Sequence, residues 1–114
     1  MTDAERQKAI CRKYGARPSF VIPGLKLGIS KDFDKTHFPI NGLRHPPEGD
    51  TCGWYLWSGM ELSEADDFFV PIHVAHLSEL CPDAIKFLAL PPGWRFLFAP
   101  DYEDVWQDSS LLEI

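Results

Sequence analysis

Gly53-Trp54-Tyr55-Leu56-Trp57-Ser58-Gly59 is the stretch on which the architecture turns. It is aromatic or aliphatic at odd and even positions alike. A strand with one wet face alternates apolar and polar residues. One apolar on both faces reads as a central strand covered from two sides. Downstream, Trp94-Arg95-Phe96-Leu97-Phe98-Ala99 is a second clear strand, with Trp94, Phe96 and Phe98 on one face and Arg95, Leu97 and Ala99 on the other. Pro100 and Asp101 then turn the chain, and Asp104–Gln107 reads as an edge strand.

Between these strands lie an acidic connector over 60–67 and a helical pair. Phe68–Ile72 leads into a helix expected over His73–Leu80. Cys81-Pro82 breaks it and opens a second helix over Asp83–Leu90, and Pro91-Pro92-Gly93 ends that one. Upstream, residues 2–14 read as a helix capped by Thr2 with Glu5 three residues on, and Gly15 is its stop. Ser19–Ile22 and Leu25–Ser30 read as short strands around Pro23-Gly24. Residues 31–51, punctuated by Pro39, Asn41-Gly42, Pro46-Pro47 and Gly49-Asp50, read as a long loop with at most a short strand near Phe38–Ile40. The tail to Ile114 reads as loosely held. The expected fold is α+β: a mostly antiparallel sheet with a short helical pair and an N-terminal helix packed on it. Its 114 residues fit a single domain, 1–114.

Charge divides the chain. Residues 1–45 hold 9 of the 11 Lys/Arg and 4 of the 17 Asp/Glu, whereas residues 46–114 hold Lys86 and Arg95 against 13 acids. The acidic part also carries 11 of the 15 aromatic side chains, including all four Trp. The net charge of −6 argues against nucleic acid or an anionic membrane as principal partner and favours a basic protein. The opening MTDAERQKAI has no apolar run of a secretory signal, and no stretch approaches the roughly 18 apolar residues of a membrane span. Cys11, Cys52 and Cys81 are odd in number and form no C-x-x-C pair, so free thiols in a reducing cytoplasm are expected.

Catalytic motifs are sparse. There is no G-x-S-x-G elbow, Walker loop or G-x-G-x-x-G. His73 and His76 have the i, i+3 spacing of two zinc ligands on one helix face, but His73 also aligns with Leu77 and Leu80, which reads as half-buried packing. Cys52, preceded by Asp50-Thr51, could pair with His45 as a nucleophile, although free cysteines are mostly small buried hydrophobes. No residue is therefore assigned to catalysis, to a metal or to a cofactor. The richest segment is Asp101-Tyr102-Glu103-Asp104-Val105-Trp106, where two aromatic anchors sit among three acids. Asp101, Tyr102, Glu103, Asp104 and Trp106, with Glu61, Asp66 and Asp67 of the acidic connector, form the expected partner-binding set; the bland alternative is that both rings pack into the core and the acids only keep an edge strand from pairing.

Two stretches carry a resemblance. Gly42-Leu43-Arg44-His45-Pro46-Pro47-Glu48-Gly49-Asp50-Thr51-Cys52-Gly53-Trp54-Tyr55-Leu56-Trp57-Ser58-Gly59 and Leu90-Pro91-Pro92-Gly93-Trp94-Arg95-Phe96-Leu97-Phe98-Ala99-Pro100, with the Cys81-Pro82 helix between them, resemble the immunity-protein-33-like family of small bacterial proteins. The resemblance covers roughly 42–106 and leaves the basic part, 1–41, outside it. It brings no catalytic residues. It implies a non-enzymatic protein-binding domain, with some relatives looking like antidotes to polymorphic toxins. The expectation is an immunity-like inhibitor masking a basic site on a toxin, for instance a nuclease. The alternative is a small enzyme or a ligand- or metal-binding domain, with Cys52, His45 or the His73/His76 pair in a pocket lined by Trp54, Trp57 or Trp94. The split between a basic front and an acidic back also allows two copies to pair, head-to-tail or across a two-fold axis.

Overall fold

The N-terminal helix α1, Asp3–Tyr14, begins and ends as its caps dictate. The Thr2 hydroxyl accepts from the Glu5 N–H at 3.1 Å, and the Glu5 carboxylate accepts from that hydroxyl at 3.2 Å. Gly15 takes the left-handed conformation, φ 75°, that closes a helix end. The computed structural model describes residues 1–63, 65 and 67–113.

Six strands follow: β1 Lys26–Ser30, β2 Ile40–Arg44, β3 Thr51–Ser58, β4 Phe69–His73, β5 Trp94–Ala99 and β6 Tyr102–Gln107. They form one sheet in the order β4-β1-β3-β2-β5-β6. Among the described residues only β1 and β3 run parallel, and every other neighbouring pair is antiparallel. The fold is α+β, with β3 inside the sheet as its two-faced apolar pattern requires.

One face carries the main core. Leu27, Ile29, Ile40, Trp54, Leu56, Phe96 and Phe98 pack beneath Ile10 and Cys11 of α1 and beneath Leu77, Ala84, Phe87 and Leu88 of the helical segment. The rings of Phe87 and Phe96 stack 4.5 Å apart, and the Trp54 indole N–H donates to the Leu88 carbonyl at 2.9 Å. Arg44 is also buried here. It donates to the carbonyls of Cys52, Ser19 and Leu90 at 3.0, 2.8 and 2.8 Å. The opposite face carries a smaller cluster of Leu43, Trp57 and Leu111, joined by Tyr55, Phe68 and Phe69.

Several expectations are corrected. Ile40–Arg44 is a buried strand between β3 and β5, not loop: Gly42 is there because the Phe96 ring packs against its backbone, leaving no room for a Cβ. Asn41 is not a turn residue either. Its side-chain amide donates to the carbonyls of Pro39 and Gly59 at 3.1 and 2.9 Å. Ser19–Ile22, between Pro18 and Pro23, forms no strand. Its Ser19 N–H donates to the Ala89 carbonyl at 2.7 Å, and Phe20 and Ile22 face solvent. The expected helix over His73–Leu80 is the end of β4, a 3-10 turn Val74–His76 and a single α-turn α2, Leu77–Leu80. His73 closes a strand and is exposed instead of packing with Leu77. The following segment, Pro82–Phe87, is 3-10 helical. Finally, the tail is anchored: Ser109–Leu112 forms a 3-10 turn that buries Leu111 against the second face.

Candidate partner-binding surface

The β5–β6 hairpin turns at Pro100-Asp101, and its register pairs Ala99 with Tyr102, Leu97 with Asp104 and Arg95 with Trp106. Side chains alternate across a strand, so β6 divides the expected binding set in two. Glu103 and Val105 face α1 and the core. Tyr102, Asp104 and Trp106 face the other side, where no α-helix lies among the described residues.

Glu103 is held within the chain. Its carboxylate accepts from the Tyr14 hydroxyl at 2.6 Å and pairs with Lys13 and Lys86, each at 3.1 Å. Burial opposes its ionisation, but the hydrogen bonds from Tyr14, Lys13 and Lys86 outweigh it and bring its pKa down to about 2. The same burial, together with Glu103, pushes the Tyr14 phenol up.

On the other side the groups are presented outward. Tyr102 is 56% exposed, and Asp101 and Asp104 beside it are also exposed. Trp106 is half-buried under the Arg95 guanidinium, which lies 5.3 Å from its ring and 6.0 Å from that of Trp57, with Asp108 3.4 Å from Arg95 Nη1. Hydrogen bonds from Ser110, and then Arg95, hold the Asp108 carboxyl below the usual range. Asp101, Tyr102 and Glu103 also border a groove of about 1010 Å³ between the hairpin and the helical layer, with Lys13, Lys86 and Phe98 on its walls. Lys13, Lys86 and Phe98 escaped the sequence reading because positions so far apart in the chain meet only in the folded state. The alternation of β6 was legible in its sequence, but which face turns inward is set by its pairing with β5.

The acidic connector lies past the far end of β3. Glu61 is exposed, and so is Asp67, which pairs with exposed Lys31 at 3.0 Å, a bond that lowers its pKa. Such an open pair contributes little to stability. Asp66 lies outside the described residues. Leu62 and Ser63 border a cleft of about 250 Å³ with Leu43, His45, Tyr55 and Phe69 on the second face. The His45 Nδ1 sits 2.9 Å from the Leu111 carbonyl, which can only accept, so Nδ1 carries the proton.

Cys52 and His45, the nucleophile pair of the alternative reading, are not brought together. Cys52 lies on the core face, fully buried, whereas His45 edges against Tyr55 on the opposite face. Burial pushes all three thiols up, the reverse of nucleophile activation. The rings of His73 and His76 stand 5.8 Å apart. Among the described residues no group of three or more His, Cys, Asp or Glu is arranged to hold a metal ion. Trp54 and Trp57 are 0% and 3% exposed and offer no face to a ligand, whereas Trp94 is half-buried.

A family model described as Imm33-like domain matches residues 6–108. The chain belongs to the Imm33-like family. The match begins inside α1, so most of the basic N-terminal part is included along with the stretch from 42 to 106. No curated protein and no solved structure matches the chain. No helix of this Imm33-like domain, among the described residues, is long and apolar enough to cross a membrane.

Proposed function

We propose that this chain works by binding: it is an immunity-type inhibitor whose acidic, aromatic hairpin covers a basic site on a protein toxin, a nuclease site being the natural class. The supporting observation is Tyr102, a large aromatic side chain left 56% exposed between exposed Asp101 and Asp104. An aromatic anchor ringed by acids combines a buried contact with long-range attraction for a basic surface. Exposed Glu61 extends the negative field, and Glu103 braces the hairpin from behind. Family membership supports the immunity-type reading, and three free, buried thiols fit a reducing cytoplasm.

The test is a pull-down from the native host with tagged protein at low and at high salt. A stoichiometric basic partner, lost at high salt and lost from the triple variant Asp101→Asn, Tyr102→Ala, Asp104→Asn, is the expected result. A partner retained by that variant places the surface elsewhere. A second reading rests on the cleft at His45: a small ligand bound against Tyr55 and Phe69 would raise the melting temperature of the wild type and leave Tyr55→Ala unmoved.

A further inference from the structure

The sheet has two edges, and they differ. At one edge, β4 places Pro71 opposite Gly28, in the middle of a five-residue strand. Proline removes a donor and blunts that edge. At the other edge, β6 runs six residues, Tyr102–Gln107, without proline. Its two-residue turn fixes which backbone groups are spent. Tyr102, closing the turn with Ala99, exchanges hydrogen bonds with β5, and the alternation continues through Asp104 and Trp106. The Asp108 N–H donating to the Gly93 carbonyl at 2.6 Å keeps the same phase. The N–H and C=O groups of Glu103, Val105 and Gln107 therefore point away from the sheet. Among the described residues none of them is bonded to another element.

We propose that β6 receives an extended, basic segment of the partner protein as an added strand; this rests on the binding role assigned above and specifies its geometry. Charge selects the occupant. On the face without α-helix an incoming strand lies beside Tyr102, Asp104 and Trp106, so its side chains there are basic. On the other face it meets Val105 and a Glu103 already neutralised by Lys13 and Lys86, so its side chains there are small and uncharged. A second copy of this chain is opposed, because its own Asp101 and Asp104 would arrive at the same acids. Backbone pairing supplies affinity, and alternate side chains supply selectivity.

The experiment uses the full chain, isotopically labelled, and an eight-residue peptide alternating lysine and threonine, with a glutamate–threonine peptide as control. At millimolar lysine peptide the amide protons of Glu103, Val105 and Gln107 are expected to exchange at least tenfold more slowly, with no effect of the glutamate peptide. Gln107→Pro removes one outward N–H without touching a bond to β5. It is expected to weaken the peptide at least tenfold, whereas Gln107→Ala leaves it unchanged. No slowing at these three amides overturns the proposal, whatever the behaviour of the variants. Wild-type affinity in a folded Gln107→Pro also overturns it. If Asp101→Asn with Asp104→Asn still weakens the peptide in that case, the acidic surface stands and strand addition alone falls. Self-association of the chain through β6, read by light scattering, counts against the assigned occupant.

Discussion

The Tyr14 hydroxyl donates to Glu103 Oε2 at 2.6 Å, joining the last turn of α1 to the edge strand β6 across 89 residues of chain. Lys13 and Lys86 bind the same carboxylate, so one side chain ties together a helix, a 3-10 segment and the sheet.

Glu103 therefore makes stability depend on acid. Its folded pKa of about 2 lies below the ordinary 4.5, so its contribution is fully present above 4.5 and disappears as pH falls towards 2. Thermal melts from pH 7 to 2 are expected to show Glu103→Gln losing about 1–3 kcal/mol near neutrality, with the gap to wild type closing through that acid window. A constant gap would assign the loss to packing.

Arg44 is buried with no carboxylate partner among the described residues, and burial pulls its pKa down. Its work is to satisfy three carbonyls from separate parts of the chain. Arg44→Ala strands those acceptors and is expected to cost about 3–5 kcal/mol in urea unfolding. Arg44→Lys, unable to reproduce the planar fork, is expected to recover only part of it.

Gly53 has φ 94°, and a Cβ there would strike the His45 carbonyl oxygen. Gly53→Ala combines backbone strain with a collision that no rotamer relieves, and a loss of about 3 kcal/mol or more is expected. Gly24→Ala, where a Cβ meets nothing within 4 Å, is the matched control and is expected to be near neutral.

Cys11, Cys52 and Cys81 are buried, with thiol pKa values raised by that burial. Titration with a disulfide reagent at neutral pH is expected to find no fast thiol in the native protein and three after denaturation. One fast thiol in the folded state would revive the nucleophile reading.

Much of this architecture is written locally. Thr2, Glu5 and Gly15 specify the ends of α1, and the apolar runs of β3 and β5 specify strands, because caps and periodicity act over a few residues. What escaped depends on distant partners. Asn41-Gly42 carries a turn signature, yet the Phe96 ring, 54 positions beyond Gly42, and the Gly59 carbonyl convert it to buried strand. His73 follows a helical spacing, yet its neighbour Lys26 on β1 draws it into an edge strand. Within the candidate surface the residue types were legible. Which of Tyr102, Glu103 and Asp104 turned inward depended on pairing with β5.

The contacts of α1 have a temporal consequence. Gln7 binds the Ile85 carbonyl and Cys11 lies against that of Ala89, each 78 residues away, and Tyr14 reaches Glu103. Within this domain an element early in chain order thus waits for later ones. Its own apolar stripe is too thin to persist alone. Ordered structure at residues 3–14 accordingly depends on the chain through to β6, and a chain ending before β6 leaves α1 without its Glu103 tie.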